Sequence, residues 1–105
     1  MTSVVINPGV CGFVTTVQAV KTGKRRVSVT IVTDCKQTGE LNQVLKDIDI
    51  WTALEPGNEL SIQTQAVKHG LHSACPIPSG IVKAIEVETG LALPWDVSIH
   101  FESNK

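Results

Sequence analysis

From Arg26 to Thr33 the chain places Val27, Val29 and Ile31 at every second position. Side chains of an extended strand point alternately to opposite faces, so this run is a strand with one apolar face, and a slip of one residue would turn that face to water. The rest of the chain must therefore supply strand neighbours and a cover for one side of a sheet. Phe13 to Val20 alternates in a similar way and is joined to Arg26–Thr33 by Lys21–Arg25, which contains Gly23, so the two form a hairpin. Ser3–Ile6 is a third short β-prone run, closed by the turn residues Asn7, Pro8 and Gly9. The basic cluster Lys21, Lys24, Arg25 and Arg26 reads as solvated charge at a hairpin tip rather than an anion site.

The cover comes from three later segments. Leu41, Val44, Leu45, Ile48 and Trp51 recur at helical spacing, with Asn42, Gln43, Lys46 and Asp47 on the opposite side. This predicts one helix packed on the sheet, ended by Pro56, Gly57 and Asn58. The segment 59–69 fits both periods and is assigned as helix. From Ser79, the positions of Ile81, Val82 and Ile85 make an inward stripe, and Gly90 supplies the left-handed residue of a helix end with Leu91 folding back. After Pro94, Val97, Ile99 and Phe101 alternate with Ser98, His100 and Glu102, which predicts a closing strand paired into the sheet of the first hairpin. The expected fold is α+β: an antiparallel or mixed sheet of about four strands with two or three helices packed on one face, residues 1–105 forming a single domain.

Charge narrows the function classes. A formal net charge of −1 gives no basic surface for nucleic acid, and no apolar run approaches the length of a membrane span. The start, MTSVVINPGVCG, lacks the basic region and long apolar core of a secretion signal, so a cytoplasmic location is expected. Three cysteines cannot all pair within one chain, and in that compartment they point to metal, catalysis or burial.

Position, more than spacing, draws attention to these cysteines. Cys11 lies between Gly9 and Gly12, Cys35 beside Asp34 where a strand ends, and Cys75 in HSACPIPSGI just ahead of a helix. Pro76 and Pro78 hold Cys75 and Ile77 in extended geometry, so that thiol is presented by a stiff loop. Three thiolates drawn together would need a cation, and the expectation is that Cys11, Cys35 and Cys75 converge on zinc or an iron–sulfur cluster, with His72 as fourth ligand. Trp51 and Trp95 are core or interface anchors, Trp95 the better interface candidate because it follows a proline. Ser73 and Ser79 lack an identifiable base, and no phosphate-binding glycine loop is present, so no reaction is assigned.

The blocks NPGVCGFVTTVQA, TDC and HSACPIPSGIVKAIEVETGLALPWDVSI resemble a small family of uncharacterised single-domain prokaryotic proteins. That resemblance supports Cys11, Cys35, His72 and Cys75 as motif positions and implies no activity. Two readings follow. One is a metal-binding protein holding an iron–sulfur cluster or zinc, with a partner in a redox or cluster-handling system; the other is a non-enzymatic homo-oligomeric or accessory interaction module whose thiols are incidental.

Overall fold

A computed structural model describes residues 1–103. Four strands form one sheet in the order β1 (Thr2–Ile6), β2 (Thr15–Gly23), β3 (Arg26–Val32) and β4 (Ile48–Asp49), and every neighbouring pair is antiparallel. The expected alternation is realised: Val17, Ala19, Val27, Val29 and Ile31 are buried on one face. The other face carries Ser3, Val5, Thr16, Gln18 and Thr30, and among the described residues no helix covers it. Thus the domain is an α+β fold with its helices on one side.

The main cover is α4 (Ile77–Glu88), which buries Ile77, Ile81, Ala84 and Ile85 against β1 and β2. It starts two residues earlier than the sequence suggests, so Ile77, expected to be extended, is its first residue: Pro76 is the N-cap and Pro78 lies in the first turn, where a missing N–H costs nothing. Its end is as expected: Gly90 has φ 80°, and the Leu91 N–H reaches back to the Glu86 carbonyl at 2.7 Å. The ambiguous segment resolves as α3 (Ile62–Lys68), whose Ser61 hydroxyl accepts from the Thr64 N–H. That cap gives the helical pattern a fixed start.

Two expectations are corrected. Leu41 to Trp51 is not one helix: α1 (Lys36–Glu40) gives way to a single 3-10 turn (Leu41–Val44), then to β4 and α2 (Ile50–Leu54). Leu41 and Leu45 do enter the core, but the backbone is drawn onto the outer edge of β3. There the Leu45 carbonyl accepts from the Val29 N–H, and the Asn42 amide bonds both the N–H and the carbonyl of Ile31, at 2.7 and 2.8 Å. The Lys46 ammonium caps the Val29 carbonyl. Asp47 then takes a positive φ of 47°, held by Thr22, Arg26 and Ser28. Side-chain bonds to a strand edge have replaced an internal helix ladder.

The second correction concerns Val97–Phe101, which forms no strand. The fourth strand is Ile48–Asp49, and residues 91–103 belong to no helix or strand and are exposed. Two of the four hairpin-tip cations have partners: Arg25 pairs with Asp49 and Arg26 with Asp47.

Candidate functional site

The three cysteines lie at one end of the sheet. β1 ends at Ile6 opposite Thr15, and Thr16 faces Val32 at the end of β3, so the β1–β2 loop and the β3–α1 junction share that end. The hydroxyl of Thr15 donates to that of Thr33, which in turn accepts from the Cys35 N–H at 3.1 Å. α4 begins there too, since its Gly80 packs on Ile6. The loop before it approaches the Cys35 segment where Gly70 faces Gln37.

Each thiol is presented differently. Cys11 is exposed in a tight turn in which Gly9 and Gly12 have φ of 87° and 73°, and the Gly12 N–H closes on the Gly9 carbonyl at 2.9 Å. That is the backbone freedom the flanking glycines promised. Cys35 is half-buried at the start of α1, and its thiol donates to Gln37 Oε1 at 3.6 Å. The Thr38 hydroxyl holds its pKa below the ordinary thiol value; burial is the next effect and opposes it, and the N–H groups of Thr38 and Gln37 add smaller lowering contributions. Cys75 is half-buried against the core, its N–H bonded to the carbonyl of exposed His72 at 3.1 Å.

A shared end is not a shared site. Among the described residues, no group of three or more His, Cys, Asp or Glu side chains is placed to hold a metal ion. The expected meeting of the sulfurs of Cys11, Cys35 and Cys75, with His72 beside them, is therefore not present in this arrangement of the loops. The topology brings the segments to one end, and among the described residues no metal-holding group forms there.

The most unusual surface lies along β1. Beyond Gly90 the chain reads LALPWDVSIHFE, and within it Trp95 is 77% exposed, Ile99 84% and Phe101 101%. Residues 96–103 make no hydrogen bond among the described residues. This arm runs beside β1, and the two border a groove of about 830 Å³ that Lys83 and Val87 of α4 also line. β1 is the outer strand of the sheet, and its outward backbone groups have no partner among the described residues. Sequence reasoning found the alternation of the arm but assigned it to the interior. Asn42 and Lys46, which close the opposite edge, were read only as a polar helix face. An edge-capping asparagine leaves no periodic signal.

Taken together, the chain is a small antiparallel α+β domain with one closed sheet edge, one open edge and an apolar arm. It belongs to the family of unknown function DUF6951, whose model matches residues 2–101. No curated protein matches it, and no solved structure does.

Proposed function

We propose that this protein is a non-enzymatic interaction module whose binding element is the C-terminal arm. The observation that carries this reading is the exposure of Trp95, Val97, Ile99 and Phe101 on one short segment next to an unpaired sheet edge. Isolated apolar residues on a surface are ordinary, but a contiguous strip with two aromatic rings marks a surface that is covered in the working state. Tryptophan and phenylalanine are also the residue types that anchor interfaces. A photo-reactive amino acid at position 95, activated in cells producing the protein, tests the reading. Cross-links to another polypeptide, lost in the I99D/F101D variant, are expected. Cross-links confined to the chain's own domain overturn it.

A second reading keeps the thiols in use: zinc or an iron–sulfur cluster bound by Cys11, Cys35 and Cys75. It is supported by the presence of all three cysteines on loops at one end of the sheet, from which loop movement rather than refolding would bring sulfurs together. Thiolates about 2.3 Å from a zinc ion must lie within roughly 4 Å of one another. Metal analysis of protein purified without air decides. Iron with sulfide, or about one zinc per chain, lost on Cys→Ser substitution, is expected under this reading; protein free of both metals overturns it.

A further inference from the structure

We infer that the covering partner is a second copy of this chain: Val97–Phe101 of each copy adds as a fifth strand to the open β1 edge of the other, in a two-fold dimer with exchanged arms. This rests on the interaction-module reading and names the partner of that same arm.

The two surfaces are complementary in length and pattern. Val97–Phe101 and β1, Thr2–Ile6, are each five residues long. An extended arm puts Val97, Ile99 and Phe101 on one face and Ser98, His100 and Glu102 on the other. On β1, Val4 and Ile6 face the core side while Ser3 and Val5 face the open side. Laid along β1 with its apolar triplet inward, the arm continues the buried face and covers half-buried Val4. It also fills the groove bordered by Val87 and the aliphatic stem of Lys83.

The two edges of the sheet are treated differently. Asn42, Leu45 and Lys46 satisfy the β3 edge. The β1 edge, TSVVI, has no charge and no proline, two of the means by which monomeric proteins keep an edge from pairing, and among the described residues the arm beside it makes no hydrogen bond to it. An edge left this way invites a strand, and the same chain carries a strand-patterned segment without a partner.

Direction favours a second copy over the chain's own edge. α4 runs antiparallel to β1, since Gly80 meets Ile6 while Glu88 bonds Thr2. The reversal at Gly90 turns the chain back at the Thr2 end of β1, so an arm laid along its own β1 would run in β1's direction; in the structure it borders that strand without bonding it. Own-edge pairing would be parallel, in a sheet that is otherwise antiparallel. A two-fold axis across the strands reverses the partner's β1, so the exchanged pairing is antiparallel, the somewhat more stable ladder.

The area suffices as well. Each buried Trp or Phe removes about 150–250 Å² from water, so Trp95 and Phe101 of two copies account for roughly 600–1,000 Å². The remaining arm residues and the surface they cover add to this, toward the ~1,600 Å² of a standard stable interface.

Light scattering coupled to size exclusion, on the full chain at about 1–100 μM, is the first measurement. Two chains per particle are expected, with I99D/F101D converting the dimer to a folded monomer of unchanged circular dichroism. The second uses a chain whose native cysteines are serine and which carries Ser3→Cys with either Ser98→Cys or His100→Cys, two registers on the open face. On oxidation, disulfide-linked dimers are expected in at least one. Linked monomers would place the arm on its own edge and overturn the inference. So would a wild-type monomer throughout the concentration range, or a dimer indifferent to I99D/F101D. Cross-links from position 95 to a different protein, with a monomeric wild type, would remove the second copy and leave the interaction module standing.

Discussion

Gly80 of α4 lies directly over Ile6 of β1, so close that a methyl group at position 80 would overlap the Ile6 side chain, coming within 2.7 Å of its Cγ1. Helix propensity alone favours Gly80→Ala by about 1 kcal/mol. Ile6 is buried at the sheet end and has little room to turn aside, and overpacking of this kind costs about 1–3 kcal/mol. The clash is expected to win. Gly80→Ala should lower the urea midpoint, and Ile6→Val in the same chain should recover part of the loss, although Ile6→Val alone costs about 0.5–1.5 kcal/mol. Additive losses in the double-mutant cycle would show that the two residues do not compete for one space.

Asn42 does for β3 what another strand would do, bonding both backbone groups of Ile31. Asn42→Ala leaves a part-buried N–H and carbonyl without partners, which is expected to cost about 1–3 kcal/mol. Asn42→Asp should be no better, because a carboxylate accepts from the N–H but confronts the Ile31 carbonyl with negative charge. Amide exchange gives the local signature: the Ile31 N–H should lose protection more than Val17, which is paired between strands. Equal loss at both would mean that Asn42 acts on the fold as a whole.

The acid limb of stability should carry the mark of Glu88. Its carboxylate accepts the Lys21 N–H at 2.9 Å and the Thr2 hydroxyl at 2.8 Å, and in that order these bonds hold its pKa below the ordinary value of 4.5. A carboxyl lowered in the folded state binds its proton more readily when unfolded. Its stabilisation is therefore complete above pH 4.5 and is lost as pH falls through the lowered folded value. Glu88→Gln should be less stable than wild type by about 1 kcal/mol at neutral pH. The gap should close as the solution is acidified below that range. Asp47, Asp49 and Glu59 are lowered too, so the difference between the two proteins, not the absolute acid midpoint, is the quantity to follow.

Ile99 separates what the sequence pattern encodes from what one chain can satisfy. Its alternation with Ser98 and His100 is that of a strand with one buried face, and a buried Asp at such a position would be strongly destabilising. In the chain by itself Ile99 is 84% exposed. Ile99→Asp should accordingly change monomer stability by no more than about 0.5 kcal/mol, measured by denaturation at a concentration below that of any association. A loss of several kcal/mol there would mean that the residue is buried within its own domain.

The legible parts of this chain are those where local pattern and tertiary packing agree. Val27, Val29 and Ile31 are on the buried face because a period of two admits no other arrangement, and Gly90 ends α4 because the left-handed position favours a residue without Cβ. Leu41–Trp51 misleads because core contacts of Leu41 and Leu45 survive either as a helix or as a turn laid against a strand edge. Only the Asn42 and Leu45 bonds to β3 decide between them. The thiols show the same gap between topology and geometry. Loop positions at the sheet end follow from strand order, but whether the sulfurs meet depends on turns of a few residues whose direction no periodicity records.

Among the thiols, Cys35 offers a direct chemical test of its surroundings. The Thr38 hydroxyl is the leading cause of its lowered pKa, ahead of the backbone N–H groups of Thr38 and Gln37, and burial works the other way. Only the thiolate is alkylated at an appreciable rate, so the pH midpoint of iodoacetamide modification reports that balance. In a chain with Cys11→Ser and Cys75→Ser, the midpoint for Cys35 should fall below that of a free cysteine peptide. Thr38→Val removes the hydroxyl from a site that is 1% exposed, and the midpoint should then move up toward the free value. The two backbone donors remain, so the shift should be partial. An unchanged midpoint would mean that the backbone N–H groups, not Thr38, stabilise the thiolate; Gln37→Ala, which removes the acceptor of the neutral thiol but leaves its N–H, should lower the midpoint further.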